Sequence, residues 1–359
     1  MIKFRNEIAE IVPYKPGRPI ADVQREYNLS EVVKLASNEN PLGYSPNCKA
    51  AIEAALDSLE IYPDGNCTEL KSVISEKFKI PVSSIAVSSG SDEMIDILSK
   101  VFIESGDEII MSDVTFVRYI DTTRVMGGVP VVIPLKDWKY DLESMLEAIT
   151  EKTKLIWLCN PNNPTGTIFT DSELSDFLKR VPKDIVVVYD EAYSEYVESD
   201  EYPKDSLKYL SEYENMIVMK TFSKAYGLAA LRVGYSFASE SIIENINKVR
   251  GPFNVNSIAQ AAAIASIKDE EFLKRVYDMN AEGKKYIYDE FEKLGVEYVP
   301  SEANHIFFTL KRDSNEIFVA LQKLGVIIRP ILKDWLRVSI GTPEQNSAFI
   351  DALKKVLSK

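Results

Sequence analysis

An α/β fold built on a mainly parallel sheet, followed by a smaller α+β lobe, is what the 359-residue sequence predicts. Three observations lead there. Strand-like and helix-like stretches alternate from Ile85 to Phe237, the order that builds βαβ units and a parallel sheet. Several strands, LIWLC, IVVV and MIVM among them, are apolar without a break, as strands covered on both faces must be. Beyond about Asp269 the pattern changes to one long charged amphipathic helix and then short strands and helices. A chain of this length exceeds what one core usually serves, and it buries enough surface to hold without disulfide staples.

Residues 1–30 read as an N-terminal arm. The prolines and glycine of PYKPGRP (Pro13–Pro19) predict extended chain that packs on the body of the protein or on a second subunit. Residues 31–268 read as a large domain. It opens with KLASNENPLG (Lys34–Gly43), a loop in which Asn38, Glu39 and Asn40 can cap or clamp. Ala and Leu at helical spacing follow over Pro46–Leu59, and the turn YPDGN (Tyr62–Asn66) leads into a helix from about Thr68 to Phe78. Seven strands come next: Ile85–Val87, Glu108–Ser112, then 129–135, 154–160, 185–193 and Met216–Thr221, with Val233–Phe237 as a further strand entering the sheet. Helices are expected between them at 115–127, 142–149 and 171–181. Residues 269–359 read as a small domain. Its long helix runs to Leu294, its strands lie near Val296–Pro300, His305–Leu310, Val326–Ile328 and Leu336–Ile340, and its helices cover about Asn315–Leu324 and Glu344–Leu357. With the arm, this lobe is expected to close over a site on the large domain.

Composition narrows the function classes. Forty-two basic against 55 acidic residues give a net charge of −13, which argues against nucleic acid or anionic lipid as a partner while leaving a small anionic substrate open. Cys48, Cys67 and Cys159 are scattered without CxxC spacing, and the chain has a single histidine, so neither a disulfide framework nor a metal site is expected. The N-terminal MIKFRNEIAEIVPY has no apolar core, and no apolar run approaches the roughly twenty residues of a membrane span. A cytoplasmic protein is expected.

The chemistry concentrates at strand ends. TFSKAYGLAALRVGY (Thr221–Tyr235) follows the apolar run Met216–Met219, which places Thr221, Ser223 and Lys224 just past a buried strand's carboxyl end, where open α/β sheets bind ligands. Burial lowers an amine's pKa, as a Schiff-base lysine requires. The hydroxyls of Thr221 and Ser223 and the guanidinium of Arg232 are three groups able to converge on one phosphate. Ser88, Ser89, Gly90, Ser91 and Asp92 join a strand to a helix N-terminus, which makes either a phosphate cradle or a start where Asp92 and Glu93 merely cap the helix. NPNNPTG (Asn160–Gly166) lets Asn163 present an amide. Asp190 ends an apolar strand, with Tyr193 three residues on; a carboxylate there either caps a helix or meets a cation. Tyr119 either packs in the core or stacks on a flat ring.

Taken in order, SNENP, YPDG, GSDE, NPNNPTG, YDEAY, TFSKAYGLAALRVGY and LRVSIGT resemble the fold type I, pyridoxal-phosphate-dependent aminotransferases, and together they look like the histidinol-phosphate aminotransferase branch. The likeness runs from about Pro13 to Thr342. It implies pyridoxal 5'-phosphate as cofactor, with Lys224 as the Schiff-base lysine and proton carrier. Asp190 would then sit on the pyridine nitrogen, and Asn163 and Tyr193 on the ring oxygen. The phosphate would be held by Ser91, Asp92, Thr221, Ser223 and Arg232, while Tyr119 stacks on the ring and Tyr62 arrives from the neighbouring subunit of a homodimer. Arg337 and Arg329 would bind the anionic end of the substrate, histidinol phosphate in one half-reaction and glutamate or 2-oxoglutarate in the other, with Tyr14 and Asn40 on the substrate side. The sequence departs from the family pattern at Val114, at Val117 and Arg118, at His305 after Asn304, and in the short stretch from Pro330 to Leu336. These departures bear on substrate, for which an aromatic amino acid aminotransferase and, less so, a threonine-phosphate decarboxylase are the alternatives; Arg118 near the ring would alter preference.

Overall fold

The computed structural model describes residues 2–9, 11–13 and 17–358; Tyr14 lies outside them. Where the sequence suggests an extended arm, an eight-residue helix, α1 (Ile20–Tyr27), forms after Pro19. It buries Val23 and ends on Asn28 at φ 53°, a left-handed position that asparagine tolerates. Strand β1 (Val33–Lys34) pairs in parallel with β11 (Val326–Ile327). Residues 33–35, which the sequence division places with the large domain, thus hydrogen-bond to the smaller lobe, and Leu35 packs in that lobe's core.

Helices α2 (Asn47–Ala55) and α3 (Thr68–Phe78) lead to the large sheet. Its strands are β2 (Ile85–Ser88), β3 (Glu108–Ser112), β4 (Val129–Ile133), β5 (Thr153–Cys159), β6 (Val186–Asp190), β7 (Met216–Thr221) and β8 (Gly234–Phe237). They lie side by side in the order β2-β8-β7-β6-β5-β3-β4, seven strands and mainly parallel, as expected. Helices α4 (Gly90–Phe102), α5 (Arg118–Val125), α6 (Leu142–Glu147), α7 (Asp171–Arg180), α8 (Glu240–Val249) and α9 (Ser257–Ile267) complete the domain. The exception in direction is β8, antiparallel to both β7 and β2. A parallel return needs a crossover of a dozen or more residues, usually helical. The link from β7 to β8 forms only a short 3₁₀ turn, Ala229–Leu231, so the strand comes back antiparallel.

The smaller lobe carries α10 (Glu270–Leu294), an antiparallel sheet, α11 (Ser314–Gln322) and α12 (Pro343–Leu357). Strands β9 (Glu297–Val299), β10 (His305–Thr309), β12 (Arg329–Pro330) and β13 (Trp335–Ser339) run in the order β12-β13-β10-β9. Register decides what each face does. Ile306, Phe308, Leu336 and Val338 point into a core with Ile287, Phe291 and Phe349. The alternate residues His305, Phe307, Arg337 and Ser339, paired 305 to 339 and 307 to 337, therefore share the opposite face. That face looks toward the carboxyl ends of the large sheet. No helix among the described residues is long and apolar enough to cross a membrane.

Candidate active site

A cavity of about 660 Å³ opens where Cys159, Asp190 and Thr221 end β5, β6 and β7, within the usual size range of small-molecule sites. Most of the predicted residues meet in it: Ser91, Asp92, Asn163, Asp190, Tyr193, Thr221, Ser223, Lys224, Arg232, Arg329 and Arg337 all line its wall.

Its floor is a buried carboxylate. Asp190 Oδ2 accepts from the Tyr119 hydroxyl at 2.7 Å and Oδ1 from the Ala192 amide at 3.1 Å. Burial pushes its carboxyl up to about 6 even so, against the lowering effect of those two donors. An acid so placed calls for a cation in the cavity, and the protonated nitrogen of a pyridine ring meets that need. Lys224 enters from the turn after β7, its Nζ donating to the Ser37 carbonyl at 3.2 Å and lying 5.7 Å from the centre of the Tyr193 ring. Burial first, and then the charge of Arg337, lowers the amine to about 8. The turn is pinned by Gly227 at φ 72°, where a Cβ would stand 1.8 Å from the Gly43 carbonyl oxygen. It is pinned too by Asn40, whose amide donates to the Ala225 carbonyl at 2.8 Å.

One end of the cavity suits an anion. The first turn of α4 offers unpaired N–H groups at Ser91 and Asp92. Across from it, Arg232 donates through Nη1 to Ser223 Oγ at 3.3 Å, which leaves the serine hydrogen available to a ligand. The Thr221 hydroxyl accepts from the Ser223 amide at 3.1 Å and keeps its own hydrogen in the same way. Asp92 would oppose an anion here, but Arg118 Nε holds its carboxylate at 2.8 Å while Nη2 holds Asp96 at the same distance. Gly90 closes the cradle at φ 81°; a Cβ there would lie 2.5 Å from Arg232 Nη2. Gly90→Ala is expected to displace that guanidinium and cost about 1–3 kcal/mol of stability through backbone strain; thermal unfolding with and without added phosphate checks both effects, the second as a weakened phosphate-dependent rise in Tm.

At the other end stand two arginines. Arg329 and Arg337 face each other across β12 and β13, so the sheet register sets two guanidiniums on one face. Arg337 Nη1 donates to Asn163 Oδ1 at 2.6 Å and Nη2 to the Ala36 carbonyl at 2.7 Å. Because Asn163 accepts through its oxygen, its amide hydrogens are the part it can offer the cavity.

Three expectations need correction. Tyr119 does not border the cavity: it is fully buried behind Asp190, its ring stacked on Trp157 at 4.6 Å, and Phe116 is the aromatic of that segment on the wall. The helix begins only at Arg118, so a periodicity drawn from Thr115 misplaces its faces. Arg118 is spent on the two aspartates rather than aimed at a ligand. Asn40 is absent from the wall because its amide is tied to the Lys224 turn, and Asn38 and Ser37 take the place expected of it. Tyr62, expected to serve the neighbouring subunit's site, is 79 % exposed in its own chain and stacked on Phe253 at 4.8 Å. Asn38, the second residue of SNENP and expected only to cap or clamp that loop, donates through Nδ2 to the Tyr193 hydroxyl at 3.0 Å, a partner that no local pattern gives.

A phosphate cradle, a buried carboxylate, a lysine with a lowered pKa and two amide or phenol donors between them fit pyridoxal 5'-phosphate, and define a cofactor-dependent transferase of the α/β type. The model for the aminotransferase class I and II family matches residues 30–353, and the chain belongs to that family. Within it, the chain is 47% identical to the histidinol-phosphate aminotransferase of Caldicellulosiruptor saccharolyticus over 99% of this chain and 100% of that protein. It is likewise 47% identical to the one of Moorella thermoacetica, over 99% and 93%. Among solved structures, histidinol-phosphate aminotransferase from Sinorhizobium meliloti in complex with pyridoxal-5'-phosphate superposes with a TM-score of 0.90 at 25% identity, covering 100% of this chain and 98% of that one.

Proposed function

We propose that this protein catalyses the reversible transamination of L-histidinol phosphate with 2-oxoglutarate, giving imidazole-acetol phosphate and L-glutamate in histidine biosynthesis, with pyridoxal 5'-phosphate as cofactor. The observation that carries the substrate reading is the Arg329–Arg337 pair, opposed in register at the mouth of the cavity. A ping-pong reaction must hold a phosphate ester and a carboxylate in one place, and two guanidiniums with forked donors do so. The names of the 41–47% identical relatives support the same reading.

When bound, the cofactor supplies an aldehyde that takes the amino group and a ring that withdraws electrons. The chain does the rest. Lys224, its amine lowered to about 8 by burial and Arg337, would hold the cofactor through that aldehyde and would carry the proton at the substrate's α carbon. Asp190 would hold a proton on the ring nitrogen, with Tyr119 fixing the carboxylate from behind. Asn163 and Tyr193 would donate to the ring oxygen, Phe116 would border the ring from the wall, and Ser91, Asp92, Thr221, Ser223 and Arg232 would hold the phosphate. Asn38 belongs with these as a support for Tyr193.

The reading extends to organisation. Residues 1–30, 31–268 and 269–359 act as arm, large domain and small domain, the last closing on the second to exclude water. A homodimer is supported by the exposed apolar group Leu56, Leu59, Ile61, Tyr62 and Phe253, with Tyr62 reaching the phosphate of the neighbouring site. The protein is cytoplasmic. Assay of the purified enzyme with histidinol phosphate, phenylalanine and tyrosine in turn tests the substrate: kcat/KM is expected to favour histidinol phosphate by roughly 10²-fold or more, since a site built for a charged group rejects analogues lacking it. Preference for phenylalanine would make this an aromatic aminotransferase, and release of carbon dioxide from threonine phosphate a decarboxylase.

A further inference from the structure

His305, the chain's single histidine, stands completely buried beside the site without lining it. It leans edge-on against the Tyr193 ring, with centroids 5.1 Å apart and planes at 75°. Between the two lies Asn38, whose side-chain nitrogen is 3.0 Å from Tyr193 Oη and 3.0 Å from His305 Nδ1. The other end of that amide is set by β13. Ser339 Oγ receives the Asn38 backbone N–H at 2.9 Å and donates its hydrogen to Asn38 Oδ1 at 3.0 Å. The Asn38 carbonyl in turn accepts from Asn304 Nδ2 at 3.1 Å.

Donor counting then decides every proton. With Oδ1 taken by Ser339, the amide turns its two N–H groups toward Tyr193 and His305. Nδ1 must accept, so it bears no hydrogen and the ring proton sits on Nε2. Tyr193 oxygen also accepts, so its own hydrogen is released from the network and points into the cavity. Were the amide reversed, Nδ1 and the phenol would both donate to Oδ1, and Tyr193 would have no hydrogen left to offer.

We infer that His305 is a positioning residue: by accepting from Asn38 through Nδ1, it locks the amide in the orientation that makes Tyr193 a hydrogen-bond donor to the cofactor's ring oxygen. The inference rests on the reading of Tyr193 given above. It makes the donor state of a large-domain residue depend on β10 and β13, so the smaller lobe must be docked for Tyr193 to be armed. The charged and titratable neighbours agree with a neutral ring. Burial lowers the His305 pKa well below the ordinary value, and Arg337, Lys224 and Lys284 lower it further, against a raising contribution from the Asn162 backbone. Nε2 has no hydrogen-bond partner among the described residues, so Nδ1 is the nitrogen through which the network acts on the ring.

One histidine in the chain makes the test direct. Protein labelled with ¹⁵N-histidine, without cofactor, is expected to give a pyridine-type resonance at Nδ1 and a pyrrole-type resonance at Nε2. Both should stay unchanged between about pH 5 and pH 8, where an ordinary histidine titrates. A pyrrole-type Nδ1, or a ring that titrates in that window, overturns the proposal with no reference to the cofactor. In the protein loaded with pyridoxal phosphate, His305→Phe is expected to move the midpoint of the visible-band pH titration by about one unit, a tenfold change, and His305→Gln, which restores an acceptor, to return most of it. An unmoved midpoint in His305→Phe overturns the positioning role. Failure of the unsubstituted protein to develop a visible band with pyridoxal phosphate would instead remove the cofactor reading while leaving the tautomer result standing.

Discussion

Lys224→Ala leaves a protein that folds and binds pyridoxal phosphate but does not turn over, with kcat down by roughly 10⁴-fold or more. Two functions vanish together: the covalent link and the proton carrier at the α carbon, each of a kind that contributes on the order of 10²–10⁴. The loss is not one of fold. Among the described residues the Lys224 amine makes one hydrogen bond, to the Ser37 carbonyl, and burial lowers its pKa, so removing the amine relieves a desolvation cost. Single-turnover absorbance with histidinol phosphate separates the outcomes, and retention of more than about a hundredth of the activity would show that another base serves the reaction.

Asp190→Asn is expected to act in opposite directions on stability and on catalysis. The Asp190 carboxyl sits at about 6 against an ordinary 3.8. A carboxyl raised on folding favours the folded chain below its unfolded value and loses that contribution as pH climbs through the folded value. Without cofactor, therefore, ionised Asp190 weakens the protein above about pH 6, and Asp190→Asn should be the more stable by up to about 3 kcal/mol at neutral pH, the gap closing below about pH 4. The amide oxygen can keep the Ala192 N–H while the amide nitrogen donates to the Tyr119 oxygen; the Tyr119 hydrogen then loses its acceptor, which takes part of that gain back. With pyridoxal phosphate the order reverses: the uncharged amide cannot hold a proton on the ring nitrogen, and turnover should fall on the order of 10³-fold. Thermal melts of the cofactor-free proteins across pH, set beside kcat of the loaded ones, check both halves. A flat stability difference across pH would mean that Asp190 does not carry the buried charge assigned to it.

Legibility followed the length of chain over which each feature is encoded. The seven strands were readable because their burial leaves unbroken apolar runs, and Asp190, Lys224 and Arg232 because each follows such a run within a short recognisable stretch. The register of the smaller sheet was less readable: Arg329 and Arg337 stood out as cations in strands, but their opposition on one face is a pairing fact. Tyr119 was misread since the helix begins three residues later than its polar start suggests, which turns Phe116 to the wall and Tyr119 inward. The helix at Ile20–Tyr27 was missed because only Val23 is buried on it, too little for a periodic signal.

By itself, then, the sequence determined the α/β class, the order of the strands along the chain and the identities of the groups at their carboxyl ends, because hydrophobic runs and local turn chemistry are written in consecutive residues. Tertiary structure alone decided the antiparallel return of β8, the tie of Arg118 to Asp92, and the Ser339–Asn38–Tyr193–His305 network. Each turns on which donor meets which acceptor at the distance of about 3 Å where such bonds form, between residues 26 apart for Arg118 and Asp92 and 155 to 301 apart in the Asn38 network, and no local pattern records that pairing.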